Sequence, residues 1–210
     1  MKNMPVIVLG GGGHAKVLID TLLQQSVDIL GFTDLTMPSE EKILGVRYLG
    51  PDSIIYGYST DSIMLVNGLG SIGAVSRRKH LFCEFKKRGY SFMNVVHPSA
   101  VVSPSAVLSE GVQIMAGGVI QSGSTIGENS IVNTKGSVDH DCIIGAHVHL
   151  APGVTLCGGV KIGDEVHIGA GATVIQNIDI GRKSVIGAGA LVLKNVPEKV
   201  TVYGIPAREV

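Results

Sequence analysis

Residues 138–187 read VDHDCIIGAHVHLAPGVTLCGGVKIGDEVHIGAGATVIQNIDIGRKSVIG, and the spacing within this stretch decides the fold. Val138, Ile144, Leu150, Leu156, Ile162, Ile168, Val174, Ile180 and Ile186 stand six residues apart without a miss. The same step continues outward, from Val102 through Leu108, Ile114, Ile120, Ile126 and Val132 at one end to Val192 at the other. All sixteen positions are Val, Ile or Leu. A second ladder, two residues earlier in each step, is mostly small or β-branched and includes Ala100, Cys142, Val148 and Ala190. Glycine often follows the large aliphatic, as at Gly127, Gly145, Gly163, Gly169, Gly181 and Gly187. A period of six fits neither a helix nor a hairpin strand. It suits a short strand plus a turn, with one large side chain entering a narrow prism and a small one at the corner. Such units stack as a parallel β-helix in which each coil buries the next.

The bulk composition agrees. The 210 residues include 29 Gly, no Trp, four Phe and five Tyr, so the core has to be filled by aliphatic side chains. Charged residues are 16% of the chain and the formal net charge is zero, which gives no electrostatic reason to expect nucleic acid or a membrane surface as partner. The opening MKNMPVIVLG is too short and too soon broken by glycine to read as a signal peptide. No apolar run approaches the roughly 20 residues of a membrane helix. Three cysteines without metal or disulfide spacing suit a reducing cytoplasm.

The first third lacks the ladder. Val6 to Leu9 reads as a buried strand, followed by Gly10-Gly11-Gly12-Gly13-His14-Ala15 and an amphipathic segment, Val17 to Leu23. Strand, glycine turn and helix is the order in which backbone N–H groups hold a phosphate, and Gly10-x-Gly12-x-x-Ala15 fits the dinucleotide fingerprint. A second strand, Asp28 to Phe32, leads to Asp34, where an acid could bond a ribose or a base. A third, Ile63 to Val66, meets Gly68-Leu69-Gly70, then a helix from about Ala74 to Arg88, and Tyr90 to Val95 closes the unit as a strand. Arg77, Arg78 and Lys79 on that helix read as a solvated face. This α/β domain, residues 1–96, is half a Rossmann fold, sized for a mononucleotide head. His97-Pro98-Ser99-Ala100 marks the change to the repeat domain, residues 97–210.

A dry aliphatic prism sends its chemistry to the outside. Val138-Asp139-His140-Asp141 is the densest cluster of titratable groups there, and a histidine beside a carboxylate can serve as a general base. Neighbours on a straight strand face opposite ways, but a corner between Val138 and the next strand relaxes that rule. His149 precedes Leu150 and should point outward, with His167 one coil below it. Cys142 lies on the small-residue ladder, so it should be buried and inert.

The whole chain resembles the bacterial hexapeptide-repeat acyltransferases that N-acetylate nucleotide-linked 4-amino sugars of the bacillosamine and perosamine type. Sialic-acid O-acetyltransferases are close relatives. The resemblance rests on Gly10 to Ala15, Asp34, Gly70, His97-Pro98, Asn133-Thr134, Val138 to Asp141 and Tyr203-Gly204-Ile205-Pro206-Ala207, in that order. It implies a three-sided, left-handed parallel β-helix with 18 residues per coil, about five coils between 102 and 192. It implies acetyl-CoA as donor, a nucleotide-linked 4-amino sugar as acceptor, a place in cell-surface glycan biosynthesis, and a homotrimer with active sites between subunits. His140 matches the proposed base and Asp141 the acid that raises its basicity. His149 matches a contact to the acetyl end of acetyl-CoA, Gly158 a backbone N–H at the thioester oxygen, and Ala170 and Ala188 backbone sites along the CoA arm. Gly12, Gly13, His14, Asp34 and Gly70 match the nucleotide pocket, and Asn133 a residue near the acceptor sugar. Some relatives carry two acids after the second strand, where this chain has Asp34-Leu35, so uridine, thymidine and guanosine stay open.

Three other functions compete. O-acetylation of a sugar hydroxyl, for example on sialic acid, shares fold, donor and base. An NAD-type oxidoreductase would use the glycine fingerprint but needs the missing second half of that fold. A non-catalytic nucleotide-sugar-binding protein leaves the clustered histidines without a purpose. The γ-class carbonic anhydrases put zinc on the same prism through two histidines four residues apart and a third far upstream. His140, His147, His149 and His167 contain no such pair, so no metal is expected.

Overall fold

The structure, a computed structural model, describes residues 4–36, 41–71 and 76–210. Two compact units emerge: residues up to 70 with 76–98, and Ser71 with 99–210.

In the first unit, β1 (Val6–Leu9) is followed by α1 (Gly13–Gln24) and β2 (Ile29–Thr33). A hairpin of β3 (Lys42–Ile43) and β4 (Val46–Gly50), β5 (Met64–Asn67) and α2 (Ser76–Lys87) complete it. The sheet order is β3-β4-β2-β1-β5, with β1 parallel to both β2 and β5. The strand order therefore reverses at β1, the arrangement in which open α/β sheets leave a crevice beyond their carboxyl ends. All four residues of β1 are fully buried, as a strand covered on both faces must be. Ile7, Leu9 and Leu65 pack with Phe82, Phe85 and Phe92.

Two local features depart from the sequence expectation. The hairpin β3–β4 has no counterpart in the sequence expectation, because Lys42 to Gly50 carries no strong alternation. The strand expected over Tyr90 to Val95 is reduced to a single bridge, Leu65 to Phe92, and the pair Val95–Val96. Tyr90 turns its hydroxyl instead to the carbonyls of Ile55 and Tyr58, 2.8 and 2.9 Å away. The start expected for α2, at Ala74, lies outside the described residues.

The second unit is a left-handed parallel β-helix. Two-residue strands pair in parallel with strands 18 residues on: Val101 with Val119, Val107 with Thr125, Gln113 with Ile131. Three faces result. The first carries Val119–Ile120, Ser137–Val138 and Thr155–Leu156; the second Thr125–Ile126, Ile143–Ile144 and Lys161–Ile162; the third Ile131–Val132, His149–Leu150 and His167–Ile168. Every ladder residue from Ile114 to Val192 is at most 3% exposed, so the large aliphatics do fill the prism. Serines at the inner corners are tolerated because their hydroxyls are bonded. Ser124 donates to the Asp139 carbonyl at 2.7 Å, and Ser130 to that of Gly145 at 2.9 Å.

A further ladder organises the turns. Residues 111, 117, 123 and every sixth residue to 189 have positive φ, whether Gly, Asn, Asp, His, Lys or Glu. Each corner closes through one left-handed residue, a conformation that Gly, Asn and Asp adopt most readily. The glycines that follow the large aliphatics serve a different end. A β-carbon on Gly163 would lie 2.6 Å from the Arg182 nitrogen of the next coil, so these positions set how closely coils stack.

The packing gives a direct test. Leu156→Ala should cost about 2–5 kcal/mol in urea unfolding, because the prism cannot collapse around the void. Thr155→Ala, one residue away and facing out, should cost less than about 0.5 kcal/mol. Equal effects would contradict the inside–outside assignment.

Candidate active site

The crevice of the first unit is built by two loops. After β1 the chain turns at Gly10, whose φ of +92° excludes most side chains, and α1 begins with Gly12 as its N-cap. No side chain caps this helix and no acidic residue lies in its first turn, which leaves the positive end of its dipole facing outward. Gly12 and Gly13 are exposed, and a β-carbon on either would meet nothing within 4 Å. Gly70, after β5, approaches His14, whose Cβ lies 3.6 Å from where its own would be. Asp34 is held beside them: its Oδ2 accepts the Gly11 N–H at 2.7 Å and its Oδ1 accepts that of Leu35 at 2.7 Å. Asp34 thus clamps the glycine loop, and each oxygen keeps a second lone pair for a ligand.

The corner between the first and second faces of the β-helix holds the histidine–acid pair. Asp141 occupies a left-handed turn position (φ +58°), which swings its side chain round to its neighbour. His140 Nδ1 and Asp141 Oδ2 are 2.8 Å apart. The bond fixes the ring so that Nδ1 faces the carboxylate and Nε2 is left to act. The Asp141 hydrogen bond, then the charge of Asp139, raises the His140 pKa above its ordinary 6.5. Glycines flank the pair on the neighbouring coils. A β-carbon on Gly158 would lie 2.5 Å from His140 Nε2, and one on Gly123 would lie 2.5 Å from Asp141 Oδ1. The imidazole therefore lies directly against the Gly158 backbone, one coil on. Such an arrangement can accept a proton at Nε2 beside a backbone that can stabilise an oxyanion.

A second group sits on the third face. His149 is 8% exposed, and its Nδ1 lies 2.9 Å from the Ser71 carbonyl and 2.7 Å from the Ser71 hydroxyl. A carbonyl can only accept, so Nδ1 carries the proton. Asn133 Nδ2 then donates to the His149 Nε2 lone pair at 3.2 Å, while Asn133 Oδ1 accepts the Thr134 N–H at 2.8 Å. The His167 ring meets that of His149 edge-on, centroids 5.1 Å apart. His167 Nδ1 is buried and has no hydrogen-bond partner among the described residues, and burial pushes the His167 pKa down, so this ring is held neutral. Ala170 and Ala188 lie exposed at successive turns of the corner between the third and first faces, and the Gly189 N–H donates to the Ala170 carbonyl at 2.8 Å.

His140, Asp141 and Gly158 are thus brought together on one corner, while Asn133 and His149, then Ala170 and Ala188, lie on the third face and the corner after it. Sequence reasoning missed Gly123 and Ser71. Gly123 stands 18 residues before Asp141, a relation visible in the repeat, whereas nothing marked Ser71. Cys142 is fully buried and its thiol is pushed up by burial, which disfavours the reactive thiolate. Among the described residues no group of three His, Cys, Asp or Glu side chains could hold a metal ion.

Comparison with known proteins adds the following. Residues 5–85 match the family described as PglD N-terminal domain. Residues 159–194 match bacterial transferase hexapeptide (six repeats), and residues 137–176 match hexapeptide repeat of succinyl-transferase. A GDP-perosamine N-acetyltransferase from Caulobacter crescentus, solved with CoA and GDP-perosamine, is 38% identical with a TM-score of 0.91; the match covers 98% of this chain and 96% of that one. The acetyltransferase domain of PglB from Neisseria gonorrhoeae is 31% identical, TM-score 0.91, over 99% of this chain and 100% of that one; it has been solved with acetyl coenzyme A. WeeI from Acinetobacter baumannii is 27% identical, TM-score 0.87, over 99% and 100%. No curated protein sequence matches.

The corner yields two expectations for the enzyme assay. Gly158→Ala should push the imidazole aside and remove most activity while leaving the unfolding midpoint within a few degrees. A base acts when neutral, so activity should rise with pH through a value above 6.5. Asp141→Asn should move that limb of the kcat/KM profile to lower pH; a limb that stays in place would separate it from His140.

Proposed function

The chain belongs to the hexapeptide-repeat N-acetyltransferases of nucleotide-linked amino sugars, and from that premise we propose that it acetylates the 4-amino group of such a sugar with His140 as base. The reaction is acetyl transfer from acetyl-CoA to the amino group of a nucleotide-linked amino sugar. The observation that carries the assignment of the base is the His140–Asp141 bond set against Gly158.

The sugar amine, as free base, attacks the thioester carbonyl. His140 Nε2 takes a proton from the amine as the C–N bond forms, and Asp141 stabilises the imidazolium. The Gly158 N–H supports the negative charge on the thioester oxygen. The C–S bond then breaks and coenzyme A leaves as its thiol, with the proton returned from His140. His149, Ala170 and Ala188 take the donor, Asn133 the acceptor sugar. Gly12, Gly13, His14, Asp34 and Gly70 hold the nucleotide, whose phosphates suit an uncapped helix start.

The functional unit in this reading is a homotrimer. Its support is the separation within one prism: base and oxyanion donor lie on one corner, donor-binding residues on another face and corner. A neighbouring copy supplies the missing set. In the same reading the reaction belongs to the cytoplasm and to cell-surface glycan synthesis, since nucleotide-linked sugars and acetyl-CoA are its substrates.

The test is CoA thiol release with acetyl-CoA and a panel of GDP-, UDP- and dTDP-linked amino sugars. Release is expected with a 4-amino sugar and should fall about 10²–10⁴-fold in His140→Ala. Release with free sialic acid alone would overturn the amine assignment. Mixing refolded His140→Ala and His149→Ala chains should restore part of the activity that each lacks. No restoration, with both variants inactive alone, would place the site within one chain.

A further inference from the structure

Arg78 is the cation that departs most from its sequence reading. Its neighbour Arg77 is exposed, but Arg78 is 3% exposed and points into the first unit. Its Nη1 donates to the Asn67 carbonyl at 2.8 Å and to the Leu69 carbonyl at 2.6 Å. The Asn67 side chain answers by donating from Nδ2 to the Arg78 carbonyl at 2.9 Å. One buried side chain thereby ties α2 to the end of β5 and to the loop that leads to Gly70.

The same loop is pinned from a second side. Gly68 N–H donates to the Leu9 carbonyl at 2.8 Å, and a β-carbon on Gly68 would meet that oxygen at 2.6 Å and Ala15 Cβ at 2.8 Å. The loop is thus wedged between the last residue of β1 and the first turn of α1, with Arg78 holding its carbonyls. These carbonyls are partial negative charges at the carboxyl end of β5, on the rim of the crevice. Turned into the crevice, they would repel a diphosphate. Bonded to Arg78, they are turned inward and partly neutralised. Burial pushes the Arg78 pKa down to about 9, still above neutral pH, so the group stays charged there. A buried cation is costly, and its retention at this place calls for a role beyond packing.

We propose that Arg78 is a positioning residue for the nucleotide sugar, fixing the Asn67–Gly70 loop so that the crevice accepts a nucleoside diphosphate. The proposal rests on the reading of that crevice as the nucleotide site. Arg78 acts through the loop and touches neither the acetyl donor nor the reacting atoms.

The experiment compares Arg78→Met and Arg78→Lys with the unsubstituted enzyme on the best nucleotide sugar from the panel. In Arg78→Met the KM for the nucleotide sugar should rise about tenfold or more, while the KM for acetyl-CoA stays within twofold and kcat within threefold. Arg78→Lys, which keeps the charge on a shorter side chain whose ammonium does not reproduce the position of Nη1 between the two carbonyls, should recover part of the loss. Calorimetric titration with GDP or UDP alone should show the same weakening. If Arg78→Met does not fold, Asn67→Ala, which removes the reciprocal bond from α2, should raise the same KM alone. An unchanged nucleotide-sugar KM, or equal losses in both KM values and kcat, would overturn the proposal. Absence of thiol release from the unsubstituted enzyme would instead overturn the proposed function.

Discussion

Everything in the larger unit depends on one constraint: the prism is too narrow and too dry for an unpaired polar side chain. Its inward positions take Val, Ile and Leu, and the few polar groups at the inner corners are tied down at once, as Ser124 is to the Asp139 carbonyl. A structure that admits no chemistry inside has to do it on the edges. The edges in turn are shaped by the turn that closes each strand, where one residue in six is left-handed. Asp141 holds such a position, so the residue that orients the base is also a residue that bends the chain. Catalytic geometry and fold geometry meet in one backbone conformation.

The smaller unit follows a different rule. Its crevice is made by strand order, since β2 and β5 lie on opposite sides of β1. The side chains around it mostly restrain backbone. Asp34 holds the glycine loop through the Gly11 N–H, and Arg78 holds the opposing loop through two carbonyls. Donors and acceptors of the main chain are thereby sorted before any ligand arrives, which lowers the ordering cost of binding an anion.

What could be read from the sequence divides along the same line. The aliphatic ladder is a one-dimensional signal with a fixed period, so the prism, its inward residues and the outward place of His149 followed from counting. The His140–Asp141 contact was readable because the two are adjacent and near a corner. The positive-φ column was also present in the sequence, but as a mixture of Gly, Asn, Asp, His, Lys and Glu that no composition rule unites; only backbone angles reveal it. Arg78 could not be read at all, since its two charged neighbours on the helix made a solvated face the natural expectation. Its burial depends on which face α2 turns to the sheet. Ser71 was hidden for the same reason: its partner, His149, is 78 residues away. Contacts across such separations have no period to betray them.

The 18-residue register has a consequence for how such a protein changes length. His140 faces Gly158 because each sits at the same place in successive coils, and Asp141 faces Gly123 for the same reason. A gain or loss of six residues within the repeat would keep every aliphatic inside, and the core would not object. It would nevertheless turn all downstream coils by one face and carry Gly158 away from the imidazole. A whole coil keeps every face in place, but only when it is added or removed outside the span from Gly123 to Gly158, because within that span it too would part the pair from its glycines. The fold is thus permissive in units of six and the chemistry in units of eighteen, so folded but inert descendants should be a common product of slippage in its gene.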